Sequence, residues 1–274
     1  MRFQGKVALV TGAGGGIGGA IARRLAAEGA HLVLLDVNDT VDETARALAL
    51  ASPGVQTLAL RADVADSAQT RDAVAAAVAR FGAIDCLINN AGLTATIAPL
   101  ERMEDEQWAR EMGVNLTGPF NLIRAVLPGM AQRGWGRIVN ISSAAARGGL
   151  FRQGGYSASK SGLLGLTRNV TLEYAARGIT CNAVLPGLIH TPAVARLPRA
   201  IMDYTMSMTP ARRPGTVDEI AAVVAFLCSE EAAYVNGAEI DVDGGSRLCQ
   251  TVLGSSREVE SRLAIATGHA GGQA

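Results

Sequence analysis

The sequence predicts an α/β protein, a doubly wound parallel sheet of about seven strands with helices on both faces. Three observations carry that expectation. Short apolar runs alternate with amphipathic helical stretches from the first residues onward. A glycine-rich turn separates the first strand from the first helix. Apolar residues make up 49% of the 274, against 18% charged, which is enough for a full core packed through alanine and glycine.

The elements follow in order. Residues 7–10 read as a buried strand and 17–28 as a helix. Residues 32–35 and 40–51 repeat the pair, as do 55–60 and 67–81. Residues 84–88 form a fourth strand. A long helical stretch, 105–132, bends near Gly113 and Pro119. Then come a strand at 137–141, a helix at 156–176 and a strand at 180–185. A helix at 218–228 has Thr216 as its N-cap, and 239–242 is the last strand. No linker or shift of composition divides the chain, so residues 1–247 read as one domain. Residues 187–209 break the rhythm as an insertion near the sixth strand's end, where open α/β sheets bind ligands. Residues 248–274 form an extension past the last strand. It is either a cover for a neighbouring subunit's pocket or an appendage whose end, 268–274, is disordered.

Formal net charge is zero, and no basic cluster appears. That removes the electrostatic attraction a nucleic-acid or anionic-membrane partner would need. The longest apolar runs, such as 220–228, are too short to span a bilayer, and the first residues lack an apolar signal region. Cys86, Cys181, Cys228 and Cys249 show no C-x-x-C spacing. Reduced, mostly buried thiols suit a cytoplasmic protein. Three scattered histidines give no metal-ligand set.

The turn reads Thr11-Gly12-Ala13-Gly14-Gly15-Gly16-Ile17-Gly18. Glycines permit a tight turn and let backbone approach a pyrophosphate, while the helix N-terminus supplies amides and positive dipole. A lone G-x-G-x-x-G is weak; its place between strand and helix is what gives it meaning. Asp36 ends the second strand, about 20 residues on. A carboxylate there accepts the adenosine ribose hydroxyls and repels a 2′-phosphate. No basic residue at 13–16 or 37 offsets it, so NAD is the expected cofactor.

Tyr156 and Lys160 stand four residues apart, on one face of a helix. The chain holds only two lysines, Lys6 and Lys160, against twenty-three arginines. A phenol of pKa about 10 is a poor base near neutrality, and a fixed positive charge nearby lowers that value. Lysine's compact charge with three steerable donors suits a phenol and a ribose together. A lone Y-x-x-x-K is common by chance, so the pair draws its weight from its company.

With these pieces the chain resembles the short-chain dehydrogenase/reductase family, over about residues 5–247. The T-G-x-x-x-G-x-G turn is followed by Asp63-Val64, by Asn89-Asn90-Ala91-Gly92 and by Asn115. Ser143, Tyr156-x-x-x-Lys160, Pro186-Gly187-x-x-x-Thr191 and Asp243-Gly244-Gly245 complete the order. The resemblance implies a Rossmann fold in which Gly12, Gly14, Gly15, Gly16, Ile17 and Gly18 cradle the cofactor. Asp63 and Val64 would meet adenine. Asn90, Ala91 and Gly92 would line its path, with Asn90's part structural. Pro186, Gly187, Ile189 and Thr191 would hold the nicotinamide carboxamide. Tyr156 would be the general acid/base. Lys160 would lower its pKa and bind the nicotinamide ribose, Ser143 would bond the substrate oxygen, and Asn115 would position a water leading from Lys160 to solvent. Only the interval to Tyr156 favours Ser143 over Ser142. His190 stays outside the catalytic set. Arg147 and Arg152 could meet a substrate carboxylate or simply face solvent.

The resemblance implies NAD-dependent interconversion of a small secondary alcohol and a ketone, in a homotetramer. A 3-oxoacyl-carrier-protein reductase is the near alternative, though such enzymes favour NADPH and an acidic carrier. A non-catalytic NAD-binding sensor or scaffold is the alternative of another class. The apolar stripe Leu163, Leu164, Leu166 and Val170 fits a subunit contact and ordinary core packing equally.

Overall fold

A computed structural model describes residues 1–94, 96–248 and 260. The expectations for the extension after residue 248, Cys249 included, lie outside the described residues.

The strands are β1 (Val7–Thr11), β2 (His31–Asp36), β3 (Thr57–Arg61), β4 (Cys86–Asn89), β5 (Gly136–Ile141), β6 (Ile179–Pro186), β7 (Ile189–His190), β8 (Gly215–Thr216) and β9 (Glu239–Val242). The helices are α1 (Gly16–Ala27), α2 (Thr40–Ala51), α3 (Ser67–Phe81), α4 (Asp105–Met112), α5 (Gly118–Arg133), α6 (Ala145–Gly148), α7 (Gly154–Tyr174), α8 (Arg199–Met208) and α9 (Val217–Cys228).

Seven strands form one sheet in the order β3-β2-β1-β4-β5-β6-β9, and every neighbouring pair is parallel. Parallel pairing requires crossovers, and the helices supply them on both faces. Every residue of β1, β4, β5 and β6 is buried, as two-sided burial demands. On one face α1, α2 and α9 pack through Ile21, Leu25, Val41 and Val224. On the other, α3, α5 and α7 pack through Val74, Leu122, Leu127 and Val170. Leu163, Leu164 and Val170 are buried within this chain, so core packing accounts for most of the stripe. Strand order reverses between β1 and β4, and the crevice opens there, at the strands' carboxyl ends.

Several boundaries differ from the expectation. β3 begins at Thr57 rather than residue 55. Residues 84–85 precede β4, and the Asp85 carboxylate instead accepts the Val7 N–H at 2.9 Å. The stretch 105–132 is two helices joined by a π-helical turn at Gly113–Thr117. The expected bend is therefore a local widening of the helix, a common device at functional sites. α7 starts at Gly154 and hands over to a 3₁₀ turn at Ala175–Arg177. The insertion carries β7, which pairs with β8, and α8, whose residues are all at least partly exposed. Thr216 caps α9 as expected. Its hydroxyl accepts the Glu219 N–H at 3.2 Å, and the Glu219 carboxylate accepts the Thr216 N–H at 2.7 Å.

Among the described residues, no helix is long and apolar enough to cross a membrane. Cys86, Cys181 and Cys228 are buried and unpaired.

Candidate active site

The glycine turn is built by steric exclusion. Gly12 adopts φ +63°, and a Cβ there would stand 2.8 Å from the Asn90 amide nitrogen and 2.9 Å from the Ala91 Cα. A Cβ at Gly18 would collide with the Gly12 carbonyl. Gly18 therefore fits α1 against the turn, and Gly12 fits the turn against the segment after β4. That segment is latched in return. The Thr11 hydroxyl accepts the N–H groups of Asn90 and Ala91 at 3.0 and 2.9 Å. The Asn90 side chain donates to the carbonyls of Thr11 and Gly12 at 2.9 and 3.2 Å. The Asn90 amide nitrogen is thus occupied in holding backbone.

Between these segments lies a cavity of about 560 Å³. Gly12, Gly14, Gly15, Asp36, Asp63, Val64, Asn90, Ala91 and Gly92 all line it. Asp36 Oδ2 accepts the Gly14 N–H at 3.0 Å, and Oδ1 accepts both N–H donors of Asn38 at 3.0 and 3.1 Å. Asp63 Oδ1 accepts the Ala65 N–H at 2.9 Å, while Oδ2 pairs with Arg110 at 2.7 Å. An open glycine turn at a helix N-terminus, with a carboxylate at the next strand end, fits a dinucleotide's pyrophosphate and ribose.

A second cavity, of about 240 Å³, continues past Asn90 and Gly92. Ile17, Ser143, Tyr156, Lys160, Pro186, Gly187, Ile189 and Thr191 line it. Gly187 lets the sixth strand's end meet the Asp243-Gly244-Gly245 turn, since a Cβ there would stand 2.8 Å from the Asp243 Cα. Gly16 and Gly18 line neither cavity; they shape the start of α1. Ser142 and Ser143 separate cleanly. The Ser142 hydroxyl is buried and donates to the Lys160 carbonyl at 2.9 Å. Ser143 faces the cavity and hydrogen-bonds the Tyr156 phenol.

Lys160 is 3% exposed, and its ammonium donates to the Ile141 carbonyl at 2.8 Å. Its nitrogen lies 5.8 Å from the Tyr156 ring centroid. Burial lowers its pKa to about 8. Burial likewise pushes the Tyr156 phenol above its ordinary value. Hydrogen bonds from Ser143 and Thr94 act downward, and the nearby Glu111 charge acts upward. Burial, the largest of these influences, leaves the phenol raised rather than lowered as the Lys160 charge alone would have it.

Asn115 sits in the π-helical turn, fully buried behind the cleft. Its side chain accepts the Leu93 N–H at 2.7 Å and donates to the Leu93 carbonyl at 2.8 Å and the Ser159 hydroxyl at 3.1 Å. It therefore ties the segment after β4 to α7. Arg147 is held by Glu239 and Asp241 of β9 at 2.8 and 3.0 Å, which engages its guanidinium on both sides. Arg152 is exposed, with its guanidinium 5.1 Å over the Phe151 ring. His190 is exposed and lines neither cavity. Three residues of the site escaped the sequence: Asn38, Arg110 and Glu111. Arg110 and Glu111 read as ordinary polar helix positions.

A family model described as enoyl-(acyl carrier protein) reductase matches residues 12–247. The chain belongs to the short-chain dehydrogenase/reductase family. As such it is an oxidoreductase acting on CH–OH groups. Levodione reductase of Leifsonia aquatica is 41% identical over 253 residues, covering 89% of this chain and 95% of that one. The 3-oxoacyl-[acyl-carrier-protein] reductase of Thermotoga maritima is 40% identical over 250 residues, covering 89% and 99%. 2-(R)-Hydroxypropyl-CoM dehydrogenase of Xanthobacter autotrophicus is 43% identical over 244 residues, covering 87% and 97%. Among solved structures, levodione reductase superposes with a TM-score of 0.87 at 40% identity, covering 90% of this chain and 99% of that one. NAD+-bound xylitol dehydrogenase gives 0.86 at 33%, covering 89% and 100%.

The buried lysine has a consequence for stability. Its folded pKa lies near 8, below the unfolded value of 10.5. Below about pH 8 both states carry the proton, and the folded state bears a buried charge. Between 8 and 10.5 the unfolded chain holds more protons, so folding gains stability as pH rises. Parallel urea titrations should show the wild-type chain gaining on Lys160→Met across that window. A constant difference between the two would refute the burial argument.

Proposed function

We propose that this enzyme interconverts a secondary alcohol and a ketone with NAD as its cofactor. The observation that carries the reading is the convergence of Ser143, Tyr156 and Lys160 on one cavity continuous with the dinucleotide cleft. When bound, the nicotinamide would supply the hydride transfer. The protein's own work is on the proton. In oxidation, ionised Tyr156 Oη takes the proton of the substrate hydroxyl; in reduction, the neutral phenol returns it. Ser143 donates a hydrogen bond to the same substrate oxygen as charge develops there. Lys160 binds the nicotinamide ribose and keeps a positive charge one helical turn from the phenol. Asn115, in the widened turn, holds a water that carries the proton on towards solvent.

NAD is favoured over NADP by Asp36, whose carboxylate faces the cavity where the adenosine ribose would lie. The NAD+-bound relative supports this choice, while the carrier-protein reductases among the relatives support a second reading. Zero net charge and Asp36 weigh against that second reading, since an acidic carrier needs basic surface. A non-catalytic NAD sensor is disfavoured by the intact proton-transfer set.

The decisive experiment follows reduced-nicotinamide absorbance with an alcohol and ketone panel and both cofactors. Turnover with NAD and secondary alcohols is the expected result. NADPH-specific reduction of 3-oxoacyl thioesters would put the second reading first. Tyr156→Phe should cut kcat by about 10²-fold or more while NAD binding by calorimetry stays unchanged. Near-normal rates would remove Tyr156 from its role. Asp36→Ser should narrow the preference for NAD over NADP by about tenfold, the loss of one charge-assisted hydrogen bond. Unaltered selectivity would refute the ribose assignment. Four copies assemble in this reading, and β9, at the sheet's edge, is free to take part. The protein recovered from a cytoplasmic extract should scatter light as a tetramer; a monomer at micromolar concentration would contradict it.

A further inference from the structure

Glu111 is fully buried, and the reaction as described gives it no part. It lies on α4, which packs against α7. Its Oε1 accepts the Thr96 N–H at 3.0 Å. Its Oε2 lies so close to Gly155 that a side chain there would collide with it. Gly155 immediately precedes Tyr156, in the first turn of α7. Thr96 follows Thr94 by two residues, and Thr94 hydrogen-bonds the Tyr156 phenol. One carboxyl therefore touches both segments that meet at the catalytic hydroxyl.

The geometry points to Glu111 as a positioning residue. It fixes the segment after β4 against the first turn of α7, and so sets where the Tyr156 hydroxyl stands and how much negative charge surrounds it. This inference rests on the proton-transfer reading given above. Two consequences follow. The Thr96 bond anchors the segment that carries Thr94 into the substrate cavity, so loosening it disturbs substrate placement. Glu111 also acts on the phenol directly, raising its pKa. Among the described residues, the groups acting on or facing that phenol come from four elements. Lys160 lies one turn along α7, Ser143 follows β5, Thr94 follows β4, and Glu111 comes from α4. Arg147, on α6, is turned away to Glu239 and Asp241.

Glu111→Gln keeps the shape and the acceptor and removes the charge. The phenol can be followed without substrate, as phenolate absorbance in a pH titration from which Tyr156→Phe is subtracted. The midpoint should fall in Glu111→Gln, because a neighbouring negative charge disfavours the phenolate. The rising limb of kcat for alcohol oxidation should move to lower pH with it. A midpoint unchanged from wild type, with only the melting temperature lowered, would reduce Glu111 to a structural residue and overturn the inference. If the glutamine variant does not fold, Glu111→Asp decides. It draws the carboxyl back from the Thr96 N–H and should raise substrate KM about fivefold at unchanged NAD affinity. A wild-type KM would overturn the inference. Absence of any turnover in the wild-type enzyme would sink the proton-transfer reading instead, and the absorbance titration would still decide the placement of Glu111.

Discussion

The cleft is organised around one costly feature, an ammonium buried at 3% exposure. Desolvation opposes the charge, and only fixed oxygen acceptors and dense surroundings keep it in place. The Ile141 carbonyl, at the end of β5, is the acceptor. Gly92 lies against it, since a Cβ there would stand 3.4 Å from the lysine nitrogen. Ser142 bonds the lysine's own carbonyl and so locks α7 to β5. Asn115 ties the same helix to the segment after β4 through Ser159 and Leu93. Remove the requirement to hold Lys160 and these four residues lose their common reason.

The sheet explains why those residues can meet. β4, β5 and β6 lie side by side with their carboxyl ends together, so Asn90, Ser143 and Pro186 emerge on one rim. The reversal of order beside β1 leaves the gap into which the glycine turn projects. Thr11 and Asn90 then stitch the two sides of that gap together. The crevice is a consequence of topology; the stitching fixes its width.

Much of this was legible in the sequence, for definable reasons. Two-sided burial makes strand runs continuous and apolar, so the seven strands stood out. The glycine turn was legible because sterics leave no other residue type at Gly12 and Gly18. The choice between Ser142 and Ser143 had to come from a family interval, because adjacent residues point to opposite sides and no local pattern says which side is the cavity. The π-helical turn was visible only as a suspected bend, since glycine and proline mark irregularity without its type. Boundaries of β3 and β4 slipped because an apolar residue, Val55 or Ile84, stands one polar residue ahead of each paired segment. Glu111 was illegible: its burial depends on packing against α7 and the segment after β4, contacts that no spacing along α4 encodes. The protonation balance at Tyr156 was misjudged for the same reason. Proximity to Lys160 was readable; the desolvation of both partners was not.

Asp36 illustrates how a binding group is prepared before its ligand arrives. A carboxylate offers about four lone-pair sites. Gly14 takes one on Oδ2, and Asn38 takes two on Oδ1. The remaining site, on Oδ2, would accept one ribose hydroxyl with no rearrangement. A second hydroxyl must displace the Asn38 side-chain amide, whose exposed position lets it turn to solvent at little cost. A 2′-phosphate has no such route. It would bring acceptors to an acceptor and charge to like charge, with no cation among the cavity-lining residues on that side. Arg110, the one basic residue lining this cavity, is engaged with Asp63 at the adenine end. The same three hydrogen bonds that hold the carboxylate still would therefore make it selective in the proposed reading, because a rigid acceptor cannot swing away from a repulsive ligand.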